Sequence, residues 1–294
     1  MSDTITTPQR QNWTVVIFGF LALSLAFSSR AALGLIMPVW QTEFGWPSSY
    51  ISGVGAAALV VMAIAAPFAG RLVDRRGSQF TLNLGMGLLG IGCAIVALMN
   101  GKLMFVVGFA GFCAVGFGIV ATHVVATAVT RSFSTNQGLA TGIGTSGATG
   151  GQFLIVPMIA ALLAFASWRW SFGALSLASL ALIPCIRMSM RADVPSGDAV
   201  ETDEASSSML EDFTVIVRQP AFHILFWSFL ICGFTTTGVI ETHLLPFASF
   251  RGFPPVPSAT AYGLLSLVNL MGMIGAGWLV QNHLSTPRQY LDAL

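Results

Sequence analysis

The chain has 294 residues, of which 54% are hydrophobic and 9% are charged, and its mean hydropathy is +0.77. Soluble domains carry about 25% charged residues, so this composition excludes a soluble globular enzyme and a disordered chain. The formal net charge of +1 provides no basic field and excludes a protein that binds nucleic acid. The composition therefore predicts a polytopic membrane protein in contact with a lipid bilayer.

Eight apolar segments are long enough to cross a bilayer, which takes about 20 residues of helix. They cover residues 13–39, 49–69, 80–99, 103–130, 139–165, 170–186, 222–245 and 259–280. The predicted fold is an all-α membrane bundle. It has six spans in residues 1–186, a cytoplasmic linker over 187–218, and two spans plus the start of a ninth in 219–294.

The Lys and Arg residues predict the orientation of the chain. With the N-terminus in the cytoplasm, nine of the 13 lie on the cytoplasmic side, three lie outside, and Arg30 lies within the first span. This excess favours a cytoplasmic N-terminus, in the cell (inner) membrane. The acidic linker carries a capping-box pair, Ser208 and Glu211, which predicts a short helix along the membrane surface. The alternative is a connector without structure.

The two parts of the chain resemble each other at a shift of 207 residues. Gly-Trp-Pro at 45–47 aligns with Gly-Phe-Pro at 252–254, and Gly-Arg-Leu-Val at 70–73 aligns with Gly-Trp-Leu-Val at 277–280. Repeated halves joined by a long loop are typical of secondary transporters. Since the second part holds two spans against six in the first, we expect the chain to be about two thirds of a longer design.

The loop between the second and third spans carries a specific motif. The octet Gly-Arg-Leu-Val-Asp-Arg-Arg-Gly at 70–77 includes Gly70, Asp74, Arg75, Arg76 and Gly77. Gly77 suits a turn with positive φ, and Asp74 is expected to meet the positive end of a neighbouring helix or the two arginines beside it. The octet resembles the signature loop of the major facilitator superfamily. The resemblance implies a gating loop that locks and releases two halves during alternating access; the alternative is a plain cytoplasmic turn.

A second motif resembles the monocarboxylate porters of that superfamily. At the start of the fifth span, the residues that match their pattern are Phe133, Leu139, Ala140, Gly142 and Gly147. Polar residues at 132 and 135–137 replace the Tyr and the basic cluster of the pattern. The resemblance implies transport of a small organic anion such as a monocarboxylate, coupled to a proton or by exchange.

Four polar residues inside apolar spans are candidates for substrate binding. Arg30 is the leading one, because a central Arg costs about 2.5–3.5 kcal/mol on insertion and its planar fork suits a carboxylate. A structural ion pair or a snorkelling side chain is the alternative. His123 stands alone in the fourth span and could instead hydrogen-bond across helices. Gln152 and Asn269 are weaker candidates.

Glu241 and His243, toward the outer end of the seventh span, are candidates for proton coupling. His titrates near neutrality, and so does a desolvated Glu. Because the two residues are two apart, they point to different helix faces. The alternative places both at the wet end of a helix.

Three glycines of the fifth span, Gly142, Gly147 and Gly151, are expected to pack helices closely. They overlap a dinucleotide-type glycine pattern, but that pattern functions only between a strand and a helix. Trp168 and Trp170 flank Arg169 and are expected to lie in the headgroup zone as interfacial anchors. No catalytic group, metal site or cofactor is predicted, and the oligomeric state stays open.

The sequence thus predicts a secondary transporter of a small organic anion that works by alternating access. Two alternatives stay open. One is an uptake system for a neutral solute such as a sugar. The other is a protein that does not transport, either a sensor built on a transporter scaffold or an inert fragment.

Overall fold

The computed structural model describes residues 13–133, 136–190, 217–279 and 281. Within these residues the chain is helical and contains no strand. The helices are α1 (Trp13–Phe44), α2 (Ser48–Ala97), α3 (Lys102–Phe105), α4 (Ala114–Ile119), α5 (Thr122–Ser132), α6 (Gln137–Thr145), α7 (Gly147–Phe165), α8 (Trp168–Ser189), α9 (Pro220–Gly233), α10 (Thr242–Phe250) and α11 (Pro255–Leu279). Two π-helical stretches join α3 to α4 (Val106–Cys113) and α9 to α10 (Phe234–Glu241). The predicted surface helix at 208–211 and the tail at 287–294 lie outside the described residues.

Six helices of the described chain are long and apolar enough to cross a membrane. The predicted second and third spans lie together in the 50-residue α2, which is broken at Gly77 with φ 80° and ψ 165°. The predicted seventh span runs through α9, the π-helical stretch and α10, so its apolar helix is shorter than the other spans. The all-α bundle is confirmed. The loop over 70–77 is not a separate turn, however, because the helix continues through Arg76 and breaks only at Gly77.

The fourth span differs from its prediction as one continuous helix. It runs from Lys102 to Ser132, but its backbone leaves helical geometry at Val120 (ψ 64°) and Ala121 (ψ 157°). A helical interruption at membrane depth is tolerated where the backbone lines a cavity or is buried in protein. The break therefore marks a candidate functional region of the bundle.

Glycines fix how closely the spans approach each other. A Cβ at Gly147 would collide with the Phe20 backbone of α1, and one at Gly151 would collide with the Ser24 backbone. The Ser24 hydroxyl donates a hydrogen bond to the Gly147 carbonyl at 2.9 Å. Gly142 instead faces α11, where its Cβ would lie 3.1 Å from the Met273 carbonyl oxygen. The fifth span thus contacts α1 on one side and α11 on the other.

An aromatic cluster surrounds Trp40 near the end of α1. Trp168 was expected at the lipid headgroups, but it is 1% exposed and its ring centroid lies 5.5 Å from that of Trp40. Its indole N–H donates to Glu43 Oε2 at 2.6 Å, and the Arg169 guanidinium pairs with Glu43 Oε1 at 3.1 Å. Trp168 is buried rather than placed at the headgroups because Glu43 supplies an acceptor for its indole N–H inside the protein. Trp170, at 70% exposed, keeps the surface position.

Candidate substrate pocket

Two predicted substrate residues, Arg30 and His123, line one pocket of about 230 Å³. α1 contributes Arg30, α2 contributes its first half, and the broken fourth span contributes the residues on both sides of the break. The lining consists of Ala26, Phe27, Arg30, Met62, Ala63, Ala66, Phe117, Gly118, Ala121, Thr122 and His123. The pocket is thus an apolar chamber that carries one permanent cation.

Arg30 is half-buried in this chamber. Its Cζ lies 4.5 Å from the centroid of the Phe27 ring, one turn earlier on α1. A guanidinium over an aromatic face gains a cation–π contact and is held in orientation by it. Small residues of α2 face the same space, and a Cβ at Gly118 would lie 2.7 Å from the Met62 carbonyl oxygen. The close approach of the second and fourth spans therefore forms part of the wall of this pocket.

The N-terminus of α5 opens into the same pocket. Thr122 and His123 are the first two residues of α5, and both line the chamber. The first hydrogen bonds of this helix run from Val124 and Val125 to the Ala121 carbonyl, at 3.0 and 3.3 Å. The amides at a helix start carry partial positive charge and favour anions. The break in the fourth span thus adds a second positive feature beside Arg30, which the sequence analysis missed.

The other two predicted substrate residues lie elsewhere. Gln152 of α7 is 5% exposed and accepts a hydrogen bond from the Ser266 hydroxyl of α11 at 3.4 Å. It therefore joins the fifth and eighth spans. Asn269 is exposed on α11 and is not among the residues that line the Arg30 pocket. Arg30 and His123 thus line the same pocket, whereas neither Gln152 nor Asn269 is among the residues that line it.

The two candidates for proton coupling belong to the seventh span. Glu241 ends the π-helical stretch, and His243 follows at the start of α10. His243 lines a separate pocket of about 420 Å³ together with Gln41 of α1 and Ser48 of α2. Because those residues lie at the junction of α1 and α2, His243 lies near the same membrane face as that junction and outside the Arg30 pocket.

Residues 70–77, the predicted gating loop, contain an ion pair that the sequence did not indicate. Asp74 Oδ1 accepts from Arg131 Nη2 at 2.8 Å, whereas the expected partners were the positive end of a neighbouring helix or the adjacent Arg75 and Arg76. On a helix, neighbours one and two positions away point to other faces, so a cation on another helix is the one in reach. Arg76 instead stacks on Phe80, with its Cζ 5.0 Å from the ring centroid.

Gln281, the counterpart of Asp74 in the repeat, contacts the start of the fifth span. Its Oε1 accepts from the Leu139 backbone N–H at 3.1 Å, and its Nε2 donates to Asn136 Oδ1 at 2.6 Å. The amide thus accepts at the N-terminus of α6, where the first backbone N–H groups of a helix need partners. A neutral side chain at the Asp position still makes a helix-terminus contact.

Comparison with known proteins agrees with this architecture. The profile described as Major Facilitator Superfamily matches residues 19–291. The chain belongs to the major facilitator superfamily. The expected resemblance to this family is confirmed, and so is the expectation of a membrane protein of multi-pass type.

Relatives and solved structures of the superfamily cover most of this chain. It is 26% identical over 281 residues to the "Uncharacterized MFS-type transporter YcxA" of Bacillus subtilis, which covers 93% of this chain and 66% of that protein. It is 24% identical over 277 residues to "Monocarboxylate transporter 11" of Mus musculus, a match that covers 94% of this chain and 61% of that protein. The xylose transporter XylE of E. coli, in a partially occluded inward-open conformation, superposes with a TM-score of 0.64 at 14% sequence identity. The superposition covers 93% of this chain and 74% of the xylose transporter chain. The chain thus spans 61–66% of the length of these two relatives.

Proposed function

We propose that this protein is a secondary transporter of a small organic anion, such as a monocarboxylate, and that Arg30 binds the carboxylate of the substrate. The observation that carries the proposal is the shared position of Arg30 and the α5 N-terminus in one pocket. A guanidinium offers two parallel N–H donors to a carboxylate, and helix-start amides add further donors.

The size and lining of the pocket support a small substrate. Sites for drug-sized ligands measure about 300–1,000 Å³, and this pocket measures about 230 Å³. Its walls offer Phe27, Phe117 and Met62 to the apolar part of a ligand. His123 at the rim would donate to a second oxygen of the substrate or carry the coupled proton. Names of relatives such as "Monocarboxylate transporter 11" are in line with this chemistry, whereas the xylose transporter shares the fold alone.

Helix α5 offers a physical link between the substrate and the gating loop. Its first residues line the pocket, and Arg131 near its last turn pairs with Asp74. Helix α5 is a continuous helix of 11 residues with a rise of 1.5 Å per residue. A displacement of its first residues therefore moves its last residues as well. We propose that substrate binding at Thr122 and His123 alters the Asp74–Arg131 pair during alternating access. We also propose a cytoplasmic N-terminus and proton coupling through Glu241 or His243.

Uptake of labelled lactate by cells that produce the full chain tests the proposal. We expect saturable uptake that unlabelled pyruvate inhibits and D-xylose does not. Arg30→Gln should abolish it, and Arg30→Lys should weaken it, because an ammonium lacks the bidentate fork. Arg251→Gln is the matched control, since Arg251 also stacks on a phenylalanine, Phe247, at 5.2 Å but lies outside the pocket.

Three results would contradict the proposal. Inhibition by D-xylose alone would favour the neutral-solute alternative. Absence of uptake for every probe, with the protein folded in the membrane, would favour a sensor or an inert fragment. Unchanged lactate kinetics in Arg30→Gln would remove Arg30 from the site.

A further inference from the structure

A further cavity of about 560 Å³ lies between the third and sixth spans, outside the substrate pocket and the His243 pocket. We call it the lateral cleft. Its polar end holds Gln79, Asn83 and Arg187, and its apolar wall runs along α2 through Phe80, Leu84 and Ile91. It lies at the membrane face that contains the gating loop, because Gln79 follows Gly77 by two residues and Arg187 lies in the last turn of α8.

The apolar wall of the lateral cleft faces outward from the bundle. Phe80, Leu84 and Ile91 are 39%, 39% and 45% exposed. On a membrane helix such side chains are exposed to acyl chains, because no other apolar phase surrounds the protein. The lateral cleft is thus a groove that can hold an acyl chain along its apolar wall, and the polar end of the cleft lies at headgroup depth.

The polar end is held rigidly and carries positive charge. The Gln79 Nε2 lies 3.4, 3.1 and 2.5 Å from the carbonyl oxygens of Ile186, Arg187 and Met190. Its two N–H groups share these acceptors and so hold the end of α8. The Arg187 side chain stays exposed. Arg76 stacks on Phe80 at the same rim, and none of the described residues that line the cleft is acidic. Basic pockets between spans on this type of face attract anionic headgroups.

Asn83 supplies an independent reason to expect an occupant. It is 9% exposed, it lines the cleft, and its Oδ1 is buried without a hydrogen-bond partner. An amide oxygen left unsatisfied at membrane depth is costly, and a turn of the amide toward the cleft would bring Oδ1 to a donor from outside the protein. A hydroxyl of a lipid headgroup can donate here, whereas an ammonium headgroup would be repelled by the neighbouring guanidinium groups.

We propose that the lateral cleft binds one anionic phospholipid with a hydroxylated headgroup, with its phosphate on Arg187, a hydroxyl on Asn83 and an acyl chain along Phe80, Leu84 and Ile91. This site is separate from the substrate pocket and does not depend on what the protein transports. A lipid seated here contacts both α2 and α8, one of which carries the gating loop.

Native mass spectrometry of the purified full chain tests this proposal. The detergent-solubilised protein is titrated with phosphatidylglycerol and, in parallel, with phosphatidylcholine of the same acyl chains. We expect one phosphatidylglycerol to bind in preference to phosphatidylcholine. Arg187→Gln should weaken this binding about fivefold, the effect of one basic residue near an anionic surface, and Asn83→Leu should also weaken it. Arg251→Gln, which removes an exposed cation away from the cleft, should leave it unchanged.

The same titration can overturn the proposal in two ways. Equal binding of the two lipids would exclude an anion-selective site. Equal losses in Arg187→Gln and Arg251→Gln would indicate unspecific charge attraction. Because Arg187 is exposed, its variant decides the matter even if Asn83→Leu fails to fold.

Discussion

The contact between α1 and α7 gives the sharpest prediction about stability, through the substitution Gly147→Ala. A Cβ at this position would collide with backbone atoms of Phe20. Backbone of a packed helix cannot rotate away as a flexible side chain can, so α1 must move outward. Such a movement also stretches the 2.9 Å hydrogen bond from the Ser24 hydroxyl to the Gly147 carbonyl.

The magnitude follows from these two losses. Overpacking costs about 1–3 kcal/mol, and an interhelical hydrogen bond in a membrane contributes about 0.6 kcal/mol on average. We expect Gly147→Ala to lower the free energy of unfolding by about 2–3 kcal/mol. Gly173→Ala is the matched control, because a Cβ there would meet no atom within 4 Å beyond its chain neighbours and the nearby backbone of its own helix. It should be neutral or gain up to about 1 kcal/mol, from the higher helix propensity of alanine.

The cysteines of the chain provide the assay. Cys93 and Cys113 are buried, whereas Cys185 and Cys232 are exposed. In a background with Cys185→Ser and Cys232→Ser, a thiol-reactive dye reports unfolding as the buried pair becomes accessible on heating. Equal unfolding midpoints for Gly147→Ala and Gly173→Ala would refute the packing argument.

Three further predictions concern polar contacts between helices. Asp74→Asn removes the ion pair with Arg131, in which the Asp74 and Arg131 side chains are 68% and 44% exposed. The free energy of unfolding should therefore change by less than about 1 kcal/mol, while lactate uptake falls. A stability loss as large as that of Gly147→Ala would contradict this. Glu43→Gln weakens the bonds to Trp168 and Arg169 and should cost about 1–2 kcal/mol in the same thermal assay, with an unshifted midpoint as the contrary result. Gln281→Leu removes the acceptor at the start of α6 and should cost about 1 kcal/mol, whereas Gln281→Glu, which keeps the acceptor, should restore the midpoint.

The spans and the family could be predicted from the sequence because both depend on local signals. Apolar length identifies a span wherever it occurs, and the octet at 70–77 is continuous in the chain. The positive φ at Gly77 was foreseen for the same reason, since only glycine adopts that geometry without strain.

Contacts between distant residues could not be predicted. Arg131 pairs with Asp74 across 57 positions, and nothing in the residues near either one indicates the other. The burial of Trp168 depends on Trp40 and Glu43, which are far away in the sequence, so the local pattern favoured the headgroup zone. The break at Val120 and Ala121 lies in an apolar run and becomes visible only in the backbone.

The candidate site was predictable only in part, for a related reason. Arg30 stands out in the sequence because a charge is costly in a membrane. Polarity alone cannot tell a pocket from a helix contact, however. Gln152, which accepts a hydrogen bond from Ser266, and His123, which lines the Arg30 pocket, are both polar residues within apolar spans.

The most direct test of the central claim is the binding of a carboxylate at Arg30, measured without transport. A ligand that binds only the folded protein stabilises it by about 2.7 kcal/mol at 100 times its dissociation constant. We predict that lactate or pyruvate raises the unfolding midpoint of the purified chain, that D-xylose does not, and that Arg30→Gln removes the effect while Arg251→Gln keeps it. A midpoint that rises equally with lactate in the protein and in Arg30→Gln would contradict the account.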